Sequence, residues 1–196
     1  MNFLAHLYLS GKNDEVALGN FIADAVKGKA ILNYGENIKK GILLHREIDT
    51  FTDKHEVFKK SKAHLNDKYG RYSGVIVDIF YDHFLAANWE NYSKTKLKYF
   101  TSNAYKFALK RFNILPKKTK RILPFMIAQN WLAGYANLKD LKRVFYGMDR
   151  RTDFKSGMKD AVEDLLINYP DFDEEFKTFF PDVICFVEKN NGIRVL

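Results

Sequence analysis

The chain has 196 residues, 46% hydrophobic and 15% aromatic, with a formal net charge of +8 from 32 Lys plus Arg against 24 Asp plus Glu. That length fits one domain, 1–196, and 17 Phe and 11 Tyr supply a full core, so disorder is excluded. One cysteine, Cys185, excludes an internal disulfide and a cysteine-rich zinc site, and no apolar run approaches the ~20 residues of a membrane span.

The opening MNFLAHLYLSG has no basic leader and does not read as a signal peptide, so the expected location is cytoplasmic. Cys185, in the apolar run VICFVEK, is expected to be a small buried hydrophobe. The basic excess suits either an acidic partner or simply a soluble surface. Lysine is scattered along most of the chain, and the densest run is Lys117, Lys118, Lys120 and Arg121.

Sparse proline and glycine favour long helices. The first is expected over 14–27, capped by Asn13 or Asp14 and stopped by Gly28. A second covers 36–51 and runs into the polar segment Thr52–His55. A third covers 55–68 and stops near Gly70. The fourth, 73–90, is apolar on nearly every face and should run through the centre. Residues 93–113 are amphipathic. Pro116 breaks the chain, and the next helix runs to Tyr135 with Pro124 starting or kinking it. Three more helices follow over 138–148, 153–168 and 171–190, the last interrupted near Pro181. The fold class is all-α, a single-domain helical bundle.

Polar groups inside this apolar text are the candidates for chemistry. His45 and Asp49 lie four apart in GILLHREIDTF, as do Asp78 and Asp82 in VIVDIFYDHFL. On a helix each pair shares a face. Burying such groups is costly unless something compensates, and a hard divalent cation is one compensator. Asp24 sits among Phe21, Ile22 and Val26, with Asn20 one turn earlier. His6 lies in an apolar segment that must pack nearby. His83 is rotated away from Asp78, so Asp82 and His83 compete for one role. Asp53 is either in support of the site or a helix end. His55 and His64, in a Lys-rich stretch, are expected to be solvated.

Imidazole and carboxylate without thiolate suit Mn²⁺, Mg²⁺, Fe²⁺ or Zn²⁺. Ions so held acidify water and neutralise phosphoryl charge. The chain has no phosphate-binding glycine loop, nucleophile elbow, HExxH motif or zinc-finger pattern, and nothing points to nucleic acid.

Four segments carry a family resemblance: MNFLAHLYLS, LGNFIADAVKG, GILLHREIDTFTD and VDIFYDHFLAANW. Together they resemble the acyl carrier protein phosphodiesterases, with weaker likeness through WLAGY and VFYGMDRR. More distantly the chain is similar to HD-type metal phosphohydrolases, although their adjacent His–Asp pair is not present in that order. The resemblance implies an all-helical, HD-like enzyme that needs a divalent cation, typically Mn²⁺. Such enzymes release 4′-phosphopantetheine from the serine of holo-acyl carrier protein, a small acidic protein. On this reading Asp24, His45, Asp49, Asp78 and Asp82 hold metal. Asp24, His6 or His83 serve catalysis, His6 or His83 orienting water or protonating the leaving oxygen. Arg46, or Arg150 and Arg151, bind the phosphodiester or are ordinary surface charges. A nucleotide or other small phosphoester is the alternative substrate. A helical adaptor for an acidic protein is the non-enzymatic alternative.

Overall fold

The computed structural model describes residues 1–195. They form eleven α-helices joined by short 3-10 turns, and no strand occurs among the described residues. The helices are α1 (Phe3–Leu9), α2 (Asp14–Ile22), α3 (Glu36–Lys54), α4 (Glu56–Tyr69) and α5 (Ser73–Ala87). The rest are α6 (Leu97–Lys110), α7 (Lys117–Ala128), α8 (Trp131–Gly134), α9 (Leu138–Arg151), α10 (Ala161–Ile167) and α11 (Tyr169–Asn191).

Helix α5 is central, as its all-round apolarity requires. Ile76, Val77, Ile79, Phe80, Tyr81, Phe84 and Leu85 are all fully buried. Helix α11 covers it with Phe172, Phe176, Phe179 and Phe180, also fully buried. Rings meet across this seam edge-on, as in Phe80–Phe172 at 5.1 Å and Tyr81–Phe176 at 5.5 Å. Each buried ring contributes about 1.5–3 kcal/mol of transfer free energy, so this seam anchors the fold.

Helices α2 and α3 touch backbone to backbone. A Cβ on Gly19 would lie 2.0 Å from the carbonyl oxygen of Ile38, and one on Gly41 would lie 2.0 Å from that of Val16. No side chain fits at either position. The crossing sets Asn20 and the turn after α2 against the middle of α3.

Several elements differ from the sequence expectation. Helix α2 ends at Ile22, and Asp24 lies on a 3-10 turn, Ala23–Ala25. Helix α3 runs on to Lys54, because Thr52 and Phe51 pack inward instead of ending it. Helix α7 stops at Ala128, since Asn130 adopts a left-handed backbone with φ 46°. Asp153 and Phe154 take φ of 53° and 59°, which excludes a helix from 153, and α10 begins only at Ala161. Helix α11 continues through Pro181. Helix α1 has no counterpart among the helices expected from the sequence.

Cys185 is exposed on α11, not buried, because Val183 and Val187 take the inward positions. His55 and His64 are paired, not simply solvated. His55 Nε2 lies 3.2 Å from Asp182, and His64 Nε2 lies 2.9 Å from the buried Glu175.

Candidate metal centre

The N-terminal ends of α1 and α5, the turn after α2 and the inner face of α3 enclose a pocket of about 220 Å³. Its walls carry Asp24, His45, Asp49, Asp53 and Asp78, with Met1, Asn2, Thr52 and Val75 between them.

Asp49 is the hub. Its Oδ2 lies 3.1 Å from Nε2 of His45, one turn earlier on α3. Its Oδ1 lies 3.1 Å from Nε2 of His6, brought in by α1. The two imidazoles stack at 3.9 Å between centroids. Among the described residues, His6, His45 and Asp49 form the one group whose ligand atoms all lie within 4.8 Å of each other.

Asn20 fixes the tautomer of His45. Its amide nitrogen donates to the carbonyl of His6 and to Oγ of Ser10, both at 2.9 Å. Its oxygen therefore faces Nδ1 of His45 at 3.1 Å and must accept, so that nitrogen carries hydrogen. Nε2 of His45 is then the nitrogen that meets the acids, Asp24 at 3.3 Å and Asp49. It must bear either a proton or a cation.

The electrostatics follow. Burial works against a charged His45, but the hydrogen bonds to Asp24 and Asp49 outweigh it and raise its pKa to about 9. Burial, and then the neighbouring His45, lower His6 to about 4, so His6 is neutral. Burial opposes ionisation of Asp49, yet His45 and His6 hold it well below the usual carboxylate range. The hydrogen bond to His45 lowers Asp24.

Asp78 reaches the same pocket by a different route. Its Oδ1 accepts from the Met1 amino group at 2.7 Å, and that group lies 3.7 Å from Asp49. Burial raises the Asp78 pKa against this pull. A cation thus already stands between the two acids.

The donor set fits a divalent ion. It is nitrogen and oxygen throughout, and Oγ1 of Thr52 on the pocket wall is buried with no protein partner.

Other expected groups lie elsewhere. Asp82 does not join Asp78, although the two are one turn apart. It is fully buried and accepts from the backbone nitrogens of Leu4 at 2.8 Å and Ala5 at 3.1 Å, capping the start of α1. Burial is the larger influence on it and raises its pKa to about 7 despite those donors. His83 faces the opposite way. Nδ1 meets the carbonyl of Tyr135 at 2.7 Å and Nε2 meets the hydroxyl of Tyr169 at 3.0 Å. Arg46 donates to the carbonyl of Val26 at 3.1 Å, near the turn that carries Asp24. Arg150 and Arg151 are exposed at the end of α9 and do not line the pocket. Asp24 is not buried: its side chain is 68% exposed, at the rim. Thr52 was missed because α3 was expected to end at 51; it follows Asp49 by three positions and so faces the same way.

A profile of the family described as acyl carrier protein phosphodiesterase matches residues 1–183. The chain is 35% identical to the acyl carrier protein phosphodiesterase of Photorhabdus laumondii over 182 residues, 92% of each chain. It is 30% identical to that of Yersinia enterocolitica over 92% of this chain and 94% of the relative. It is 28% identical to that of Serratia proteamaculans over 94% and 96%. No solved structure matches.

Proposed function

The chain belongs to the acyl carrier protein phosphodiesterase family, and from that membership we propose that it hydrolyses the phosphodiester joining 4′-phosphopantetheine to the serine of holo-acyl carrier protein. The products are the apo-carrier protein and 4′-phosphopantetheine. The observation that carries this reading is the family match over residues 1–183, which takes in every residue of the pocket. The whole chain is read as one phosphodiesterase domain, and the distant resemblance to HD-type phosphohydrolases extends the reading to an HD-like helical arrangement. Its place is in the cytoplasm, since a lone cysteine needs no oxidising compartment. No helix among the described residues is long and apolar enough to cross a membrane.

In this reading His6, His45 and Asp49 are the core of a metal donor set, with Asp24 and Asp78 beside them. Manganese is the first choice among divalent ions because the family resemblance implies it; the donors themselves, imidazole with carboxylate and no thiolate, suit Mn²⁺, Mg²⁺, Fe²⁺ or Zn²⁺. When bound, the ion supplies Lewis acidity and charge neutralisation at the phosphoryl group.

The remaining work falls to the chain. Asn20 holds His45 so that Nε2 faces the acids. Asp24, ionised and open to solvent at the rim, accepts the proton of the attacking water. That proton ends on the serine oxygen as it leaves. Arg46, which donates to the carbonyl of Val26 beside the same turn, is the proposed contact for the phosphodiester. Asp82 and His83 are left out of this set, because their polar atoms are committed to α1 and to Tyr135 and Tyr169.

The test is direct. Holo-carrier protein is incubated with the protein and Mn²⁺, and mass spectrometry follows loss of the phosphopantetheine mass. Turnover that stops with a chelator and returns with Mn²⁺ is expected. An unchanged carrier protein, with metal shown to be bound, refutes the reading. Activity confined to a nucleotide panel would replace the substrate, and a metal-free inactive protein would favour an adaptor.

A further inference from the structure

Basic residues are spread along the chain, but acidic residues are not. Between Glu90 and Asp140 there is no Asp or Glu, while that segment holds 11 Lys and Arg, more than the whole-chain excess of +8. The remainder of the chain is therefore net acidic. The segment is α6, α7 and α8 with their connections and the first two residues of α9, so the fold gathers its positive charge into one group of adjacent elements.

Helix α7 is the part of that group that reaches the pocket. It packs on the Ala23–Ala25 turn, and Lys118, Thr119 and Ile122 share a narrow slot with Phe21, Ala25 and Asp24. Asp24 lines both this slot and the metal pocket. The first turns of α7 thus border the mouth of the site.

The placement of charge on α7 runs against the helix's own needs. Lys117, Lys118, Lys120 and Arg121 occupy its N-terminal end, where the helix dipole disfavours cations, and no acid occupies the first turn. Lys120 donates to the carbonyl of Asn113 at 2.7 Å. Lys117, Lys118 and Arg121 are exposed and have no carboxylate partner among the described residues. Two large apolar side chains accompany them, Ile114 just before α7 and Phe125 on it, the latter 60% exposed. Unpaired cations with apolar side chains beside them make a protein-binding surface.

We propose that the N-terminal face of α7 is where the acidic carrier protein docks, its acids meeting Lys117, Lys118 and Arg121 and its phosphodiester entering past Asp24. This rests on the phosphodiesterase reading for the identity of the partner, and the charge complementarity stands without it.

The experiment measures binding of fluorescently labelled apo-carrier protein to the full chain by anisotropy, across a salt series. Affinity should fall with salt, and the triple variant K117E/K118E/R121E should bind about tenfold or more weakly. A control of equal charge change, K155E/K177E/K189E, lies in the loop before α10 and on α11, and should bind within about twofold of wild type. Unchanged affinity in the α7 variant overturns the proposal, as does equal loss in the control. Tighter binding of a short DNA duplex than of carrier protein also overturns it, in favour of a nucleic acid. If the Glu variant loses helical circular dichroism, K117Q/K118Q/R121Q is judged by the same criteria. Carrier protein that binds through α7 but is not hydrolysed sinks the catalytic reading and leaves this one. Hydrolysis with no dependence on α7 does the reverse.

Discussion

The amide oxygen of Asn20 accepts from Nδ1 of His45 at 3.1 Å, and this one bond orients the imidazole that faces Asp24 and Asp49. Asn20 is fully buried and comes from α2, whereas His45 comes from α3. The pair transmits the helix crossing to the site.

Replacing Asn20 with Leu removes that acceptor, leaves Nδ1 of His45 without its partner, and takes one of two donors from the carbonyl of His6, which keeps Ser10 Oγ at 2.7 Å. We expect Mn²⁺ affinity to fall about 10–100-fold, since groups that orient metal-binding imidazoles carry that much. Isothermal titration with Mn²⁺ reads it. An unchanged affinity would show that α3 alone orients His45. Stability should also drop by about 1–3 kcal/mol from the buried groups left unpaired.

Asp49 and Asp24 should separate in their effects. Asp49→Ala removes the hub between two imidazoles, so both metal binding and turnover should be lost. Asp24→Ala leaves His6, His45 and Asp49 in place and removes the exposed proton acceptor. Its kcat should fall by about 10²–10⁴-fold, with a smaller change in Mn²⁺ affinity. Metal analysis beside turnover assays checks this, and equal metal loss in both variants would assign Asp24 to binding alone.

Protonation of His45 competes with metal. Its folded pKa of about 9 lies above the ordinary histidine value, so in metal-free protein Nε2 is protonated at neutral pH. Mn²⁺ affinity should therefore rise with pH and level off above about 9, with a proton released on binding. The stability sign is opposite. A raised pKa contributes stability that is fully present below the unfolded value near 6.5, and it is lost as pH rises through about 9. Titrations of the chelated protein from pH 6 to 10 in urea should show that decline, and a flat profile would place the charge of His45 elsewhere.

Asp82 is expected to act on stability. It closes the start of α1 with two backbone bonds from a fully buried position. Asp82→Ala should cost about 1–3 kcal/mol, by loss of a cap and exposure of unpaired donors. Asp82→Asn keeps one acceptor and should cost less. His83→Ala should likewise shift the melting temperature more than Mn²⁺ affinity. Thermal melts with and without Mn²⁺ distinguish these effects from a direct contribution to the metal.

The all-helical class was legible from the scarcity of Gly and Pro, and α5 was legible as the central helix because apolar residues occupy nearly every face of it. The grouping of His45 with Asp49 followed from their four-residue spacing on one helix. That same spacing misled for Asp78 and Asp82. It fixes the face of a helix and says nothing of what lies opposite, and α1 arrives at that face with its N-terminal amides aimed at Asp82. Helix α1 was itself hidden, since seven residues with one polar group show no periodicity to read. Cys185 misled for a related reason: an apolar run on a helix with one open face still sends every third or fourth residue inward and the rest out.

The contact through Gly19 and Gly41 has a consequence for how this protein can change. Most helix pairs are spaced by side chains, and a larger or smaller residue there resets the gap in small increments. Here the gap is already at the limit of two backbones in contact, so no substitution can narrow it and any added atom must widen it. Asn20 and His45 inherit that hard stop. The opening of the pocket can still vary, through Asp24 on its turn and through α7. Its floor is a dimension that mutation can only spoil.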